Sequence, residues 1–334
     1  MLDTLSAARS RAADMPRSRR VHGAELAGLV VLVVVPLLVS DAFAIDRYGR
    51  YLLYAVFALS VDLIWGFGGV LTFGHAAFFG AGGYLAAIFM ERSGGFLPLS
   101  LWPAVALAVV VVAAFAAVLA ALAFRGPFPM RGVELAVITL AVAYLLEQYA
   151  RAGGELTGGQ NGILIGPRLT VFGVTVHRGK NFYWFAAAVL VVVYVGVRWF
   201  VSSRPGRVVK GIRDNEDRVT MLGYHVPNAK IVVFVVSAAV AAFGGALLYV
   251  HEGIVSPAAV GVGASTQVLL WVALGGRGTL IGPIVGTVVL QHLTATLSGT
   301  MLDTWILVVG AVLILVVMVF PAGVLGWLDR GPTR

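Results

Sequence analysis

The chain has 334 residues and no cysteine, which excludes disulfides and thiolate metal sites. Charge is scarce too: Asp, Glu, Lys and Arg make up 12% of the sequence, about half the roughly 25% of a soluble domain. No stretch is long enough for a separate soluble domain. Motifs for chemistry are equally absent. Gly275-Gly276-Arg277-Gly278-Thr279 lacks both the spacing and the lysine of a phosphate-binding loop. There is no H-E-x-x-H; His251-Glu252 is an isolated pair at a predicted span end. No Ser/His/Asp set can be assembled. The sequence therefore gives no sign that the chain hydrolyses ATP itself or is an intramembrane enzyme, and it is read as a non-catalytic protein.

What is present is grease. Hydrophobic residues account for 59% of the chain and mean hydropathy is +0.92. Several runs exceed the ~18–20 apolar residues that cross a bilayer core. The fold class is an all-α polytopic membrane protein. Its net charge of +8 is no nucleic-acid signal, because the basic residues cluster beside spans, as the positive-inside rule asks.

At the N-terminus, Arg9, Arg11, Arg17, Arg19 and Arg20 precede an apolar run ending near Ala42-Phe43-Ala44. That is the layout of a cleavable secretory signal. The apolar run continues to about Ile45 and many spans follow, so an uncleaved first span is expected. With the N-terminus inside, spans are expected at about 26–45, 51–65, 71–90, 99–124, 132–150, 182–201 and 231–250. The final third holds a ten-residue apolar piece from Ser265 to Leu274, then stretches at about 280–297 and 304–320. Reading the short piece as a broken half-span puts Arg330 and Arg334 inside and gives about ten membrane segments. Residues 1–25 then form a basic cytoplasmic segment, 26–325 one transmembrane domain and 326–334 a short cytoplasmic tail.

Two glycine-interrupted stretches punctuate this pattern, Trp65 to Gly74 and Trp271 to Gly282. Gly68, Gly69 and Gly74 break the first; Gly275, Gly276 and Gly278 break the second. Paired breaks in two halves point to a transport pathway and a possible internal repeat, since non-helical backbone at membrane depth must be buried in protein or line a watery cavity. Asp62, one turn before the first break, is positioned to cap backbone there or to face water. His75 lies within a span, where an ionisable group is a functional candidate; a neutral histidine bonded to a neighbouring helix is the plain alternative. Thr157 to Gly162, with Gln160 and Asn161, is either a turn or a vestibule lip. Gln267, Gln291, His292 and Thr294 either line a path or bond across helices. Glu134 is close enough to a span end to be solvated, and Glu147 to snorkel.

The charged island between residues 202 and 230 carries six basic and three acidic residues between apolar runs. Val208, Ile212, Val219 and Leu222 recur at helical spacing opposite Lys210, Asp214, Asp217 and Arg218. Asp214 with Asp217 suggests a helix cap and Gly223 a helix stop. A short amphipathic helix on the wet side of a membrane suits docking; a solvated linker is the alternative.

Three blocks resemble the permease subunits of bacterial ABC importers for branched-chain amino acids and the related urea/amide permeases. They are DLIWGFGGVLTFGHAAFFGAGGY from Asp62, RGVELAVITLA with LTGGQNGI between Arg131 and Ile163, and the island running on through FVVSAAVAAFGGALL and GGRGTLIGPIVGT to FPAGVLG. The resemblance covers nearly everything after Tyr51. It implies a second homologous permease subunit, two cytoplasmic ATPase subunits that bind ATP and Mg, an extracytoplasmic binding protein, and no cofactor on this chain. It places the protein in a bacterial inner membrane. It makes the island a coupling segment in which Arg207, Arg213, Asp214, Asn215, Glu216, Arg218, Leu222 and Gly223 engage an ATPase. The substrate it implies is a branched-chain amino acid, with urea or a short amide as the alternative; Thr72, His75, Gln160, Asn161 and Gln267 are the candidate path residues. A stand-alone secondary carrier is the competing class, and it needs an in-span ion-coupling carboxylate, for which Asp62 is the one candidate.

Overall fold

A computed structural model describes residues 41–91, 99–126, 130, 132–166, 169–171 and 174–300, with isolated positions at Gly28, Pro36, Gly310, Met318 and Gly323. Most of the expected first span, the final span at 304–320 and both terminal segments lie outside the described residues. Within them the chain is helical, with two small two-stranded pairings. Helix α1 spans Ala42–Val61 and continues as a π-helical turn, Asp62–Phe67. There follow α2 (His75–Glu91), α3 (Leu101–Arg125), α4 (Val133–Ala152) and the single turn α5 (Gly154–Thr157). After strands β1 (Ile163–Leu164), β2 (Thr170–Val171) and β3 (Val174–Thr175) come α6 (Lys180–Ser202), α7 (Arg204–Asp214), α8 (Glu216–Met221) and α9 (Val226–Glu252). Strand β4 (Ile254–Val255), a 3₁₀ turn (Pro257–Val260), α10 (Val262–Gly275) and α11 (Ile281–Thr300) complete the order.

Among the described residues, six helices are long and apolar enough to cross a membrane: α1 with its π-turn, α3, α4, α6, α9 and α11. In their most apolar stretches, 83% of residues are buried in α1 and 61% in α9, against 28% in α3, α4 and α11. Helix α9 packs against both α1 and α2, and α1 and α9 are therefore the centre of the bundle. The outer helices keep apolar faces such as Val110, Val118 and Leu122 exposed, as lipid or another subunit requires. Small residues bring α2 and α9 together: a side chain at Gly82 would strike the Ala242 backbone, and one at Gly245 the Phe79 carbonyl. Helix α3 joins them through Ala104, Ala108, Val112, Ala116 and Ala120, a buried stripe repeating every fourth residue.

Two boundaries differ from expectation. The second span starts at Ala42, where Asp41 caps the helix by accepting from the amides of Phe43 and Ala44. The charged Asp46, Arg47 and Arg50 thus lie inside a helix instead of a loop. Asp46 is tolerated there because it meets His251 Nε2 at 3.1 Å and accepts from Gly179 N at 3.2 Å. The third span starts at His75, since residues 68–74 are non-helical. In the final third, α10 and α11 are separate helices, which is the broken arrangement. The polar segment after α4 is pinned to the end of α9 by antiparallel pairing of β1 with β4, Ile163 opposite Val255.

Candidate coupling and translocation site

The two glycine breaks meet. Asp62, fully buried, uses both carboxylate oxygens on the second break: Oδ1 accepts from Gly278 N at 2.5 Å and Oδ2 from Leu280 N at 3.1 Å. Of the two roles open to Asp62, capping is the one found, but it caps the break more than 200 residues downstream instead of its own. The contact is intimate, because a side chain at Gly66 would strike both Asp62 and Gly278 N. Leu280 has a φ of 61°, and among the described residues no other non-glycine residue has a positive φ. A bulky residue pays about 1–2 kcal/mol for that conformation, and the Asp62 bond to its amide holds it there. The π-turn at Asp62–Phe67, with Gly68 N bonded to Leu63 O at 3.1 Å, is a further local irregularity of a kind frequent at functional sites.

The charged island reaches into this junction. It forms two helices, and the cap between them is Asn215, whose side chain accepts from Arg218 N at 2.8 Å. Asp214, the expected cap, instead accepts from Arg213 at 3.0 Å. Gly223, at φ +84°, follows the end of α8 as expected. Arg213 Nη1 donates to the Gly66 carbonyl at 2.7 Å. Lys210 lies 5.3 Å from the Phe67 ring centroid and Arg277 lies 5.7 Å from that of Trp65, distances at which cation–π attraction operates. Glu216 is held by Lys230 at 2.8 Å, and Arg207 donates to Ser202 O at 2.7 Å. Ile212 and Val219 are buried with Val226, and Val208 is partly buried against them. Leu222 is 69% exposed and does not join them; with Met221 and Tyr224 it makes an exposed apolar tip at the end of α8. A cavity of about 420 Å³ lies beside this contact, lined by Gly68, Gly69, Ile212, Arg213 and Lys230.

Deeper in, a buried polar layer surrounds the start of α2. Ser237 Oγ donates to Ser60 O at 2.6 Å and lies 3.0 Å from His75 Nε2. The serine's one proton is committed to a carbonyl, so Nε2 must donate, leaving Nδ1 as an acceptor. That Nδ1 and the Thr72 hydroxyl have no hydrogen-bond partner among the described residues. Ser265 Oγ accepts from Ala76 N and Thr139 Oγ1 from Phe73 N, so α4 and α10 together satisfy backbone amides where the chain re-enters a helix.

On the far side of this layer, the rings of Phe57 and Phe79 stack at 4.3 Å, with Trp271 6.5 Å from Phe57 and His75 6.3 Å beneath it. They floor a second cavity of about 440 Å³, at the end of the bundle opposite the island, which Gln267 also lines. Glu147, expected to snorkel, instead pairs with Arg151 at 2.6 Å and lines this cavity. Of the path candidates, the structure brings Thr72 and His75 into the buried layer and Gln267 to the cavity. Gln160 and Asn161 are exposed and do not line it. His292 bonds Tyr48 at 3.2 Å, across helices. Sequence reasoning missed the aromatic floor and Ser237 because nothing in the spacing of these residues announces their meeting.

The family described as "Branched-chain amino acid transport system / permease component" matches residues 47–317. Among similar proteins is the high-affinity branched-chain amino acid transport system permease protein LivM of Salmonella typhimurium. It is 28% identical over 323 residues, covering 90% of this chain and 74% of the relative. LivM of Escherichia coli is 28% identical over 320 residues, with 89% and 73% covered. The permease protein BraD of Pseudomonas aeruginosa is 27% identical over 291 residues, with 82% and 91% covered. No solved structure matches the chain. The matched region contains the coupled breaks, the island and both cavities, and the chain belongs to the family of branched-chain amino acid transport permease components.

Proposed function

We propose that this chain forms one half of the membrane path of an ATP-driven importer for branched-chain amino acids, and that its island docks on a cytoplasmic ATPase subunit. The named relatives all carry branched-chain amino acids in their descriptions, which favours that cargo over urea or an amide. A second permease subunit would complete the path, and a binding protein would deliver cargo at the face opposite the island. ATP and Mg belong to the ATPase.

Arg213 carries the reading. It belongs to the island yet bonds the Gly66 carbonyl within the first break, and Asp62 ties that break to the second. A displacement of α7 and α8 is therefore transmitted to both interrupted helices without an intervening flexible segment. The cavities on either side of the aromatic floor and polar layer give alternating access two compartments to connect. No charged side chain other than Asp62 appears in the buried layer among the described residues, which suits a path whose selectivity is set by the binding protein.

The cysteine-free sequence allows a direct test. Leu222→Cys or Met221→Cys, at the exposed apolar tip, should cross-link to the ATPase subunit in the assembled complex, with a yield that changes with nucleotide. A complex that assembles fully yet cross-links at neither position would refute the docking assignment.

A further inference from the structure

Glu252 is the last residue of the 27-residue helix α9. A carboxylate there sits at the negative end of the helix dipole, where it is disfavoured. Among the described residues it makes no hydrogen bond or ion pair, although its neighbour His251 is bonded to Asp46. Glu252 lies where two cavities adjoin. One is the cavity of about 440 Å³ above the aromatic floor. There Tyr54 and Trp271 meet edge-on at 5.5 Å and Phe79 and Tyr249 at 5.7 Å, and the carboxylate of Glu147, paired with Arg151, also lines the wall. The other, about 460 Å³, is lined by Arg50 and Arg178, and also by Asp46, which lies 3.8 Å from Arg50 and is engaged by His251. Both volumes fall within the ~300–1,000 Å³ of small-molecule sites.

We infer that this pair of cavities is a binding station for a zwitterionic amino acid with an apolar side chain, its ammonium received by Glu252. The inference rests on the importer reading and names a site for its cargo. Ring faces and carboxylates both favour a cation, so the ammonium lies on the aromatic side. The Arg50 and Arg178 guanidiniums receive the carboxylate across Glu252. The fixed rings of Tyr54, Phe57 and Trp271 offer the apolar surface that an aliphatic side chain needs. The ligand then rests directly on the floor that separates this cavity from the buried layer at His75. Gly261 keeps the wall open, since a side chain there would displace the Glu147 carboxylate.

The test uses the assembled transporter in nanodiscs with the binding protein omitted, and radiolabelled leucine as probe. Wild type should bind leucine in preference to 4-methylpentanoate, which lacks only the amino group. Glu252→Gln should weaken leucine binding about 10- to 100-fold, the worth of one charge-assisted bond, and abolish the preference. Should that variant fail to assemble, Gln267→Cys provides an independent readout, because leucine and not 4-methylpentanoate should protect it from maleimide. An unchanged leucine affinity in Glu252→Gln, or no protection at Gln267→Cys under saturating leucine, overturns the station. If ATP-driven leucine uptake persists in proteoliposomes made from the same purified complexes with the binding protein restored, the importer reading survives that failure; absent uptake by wild type in the proteoliposomes would refute the reading itself.

Discussion

Removing the Asp62 carboxylate should loosen the second break more than 200 residues away. In Asp62→Ala the amides of Gly278 and Leu280 lose their acceptors at 2.5 and 3.1 Å, the Leu280 amide in a buried setting and the Gly278 amide in a half-buried one. A buried donor left unsatisfied costs about 1–3 kcal/mol, which the Leu280 amide alone incurs, with a smaller addition from the half-buried Gly278 amide. Leu280 also loses the bond that holds its left-handed backbone. The free energy of opening this loop falls by that amount, and amide exchange through local opening accelerates in proportion. At 1.4 kcal/mol per tenfold, the lower end is already about fivefold. Hydrogen exchange measured by mass spectrometry on the full-length chain, for a peptide covering residues 275–283, reads it directly. Asp62→Asn keeps one acceptor oxygen and should fall between the two. An Asp62→Ala chain that folds, and whose 275–283 peptide exchanges within about threefold of wild type, would refute the claim that Asp62 holds the second break.

Gly245→Val should prevent close packing of α2 on α9, because the added side chain strikes the Phe79 carbonyl; the expected outcome is loss of monodisperse protein in size-exclusion chromatography, with Gly263→Ala, which meets nothing within 4 Å, as the tolerated control. Asn215→Ala removes the cap of α8 at a cost of about 1 kcal/mol, so limited trypsin cleavage at Arg218 should quicken while cleavage elsewhere is unchanged.

Long apolar runs make the spans legible from the sequence alone, because bilayer thickness fixes their length. Charge disguises the start of α1. Asp46 and Arg50 look like loop residues until His251, 205 positions away, supplies a partner. The island is legible from its charge and the two glycine breaks from their composition. What local pattern does not encode is that they touch: the Arg213 bond to Gly66 spans 147 positions and the Asp62 bond to Gly278 spans 216. Helical periodicity relates residues three and four apart, so it cannot pair groups this distant. The cap falls on Asn215 and not Asp214 for a local reason. Asn215 has the extended backbone of a cap, φ −163° and ψ 101°, whereas Asp214 is still the last residue of α7. Glu252 and the ring cluster fall into the same class as Asp62, since each acquires meaning only from residues on other helices.

The choice of acceptor at the junction bears on how it opens. Asp62 is satisfied by backbone amides of one loop, while Arg213, the nearest cationic side chain of the island, bonds a carbonyl and Asp214 instead. A direct Asp62–Arg213 ion pair in a dry interior would be costly to separate once formed. Here the two polar links are in series, island to first break and first break to second, and each can part separately. Parting the second exposes a carboxylate with no other hydrogen-bond donor among the described residues, and an unsolvated anion at that depth is costly. The second break therefore leaves Asp62 at least cost when water or a proton reaches the carboxylate. The cavity beside the island and the first break is open to water, so separation of the two breaks is expected to accompany opening toward the island.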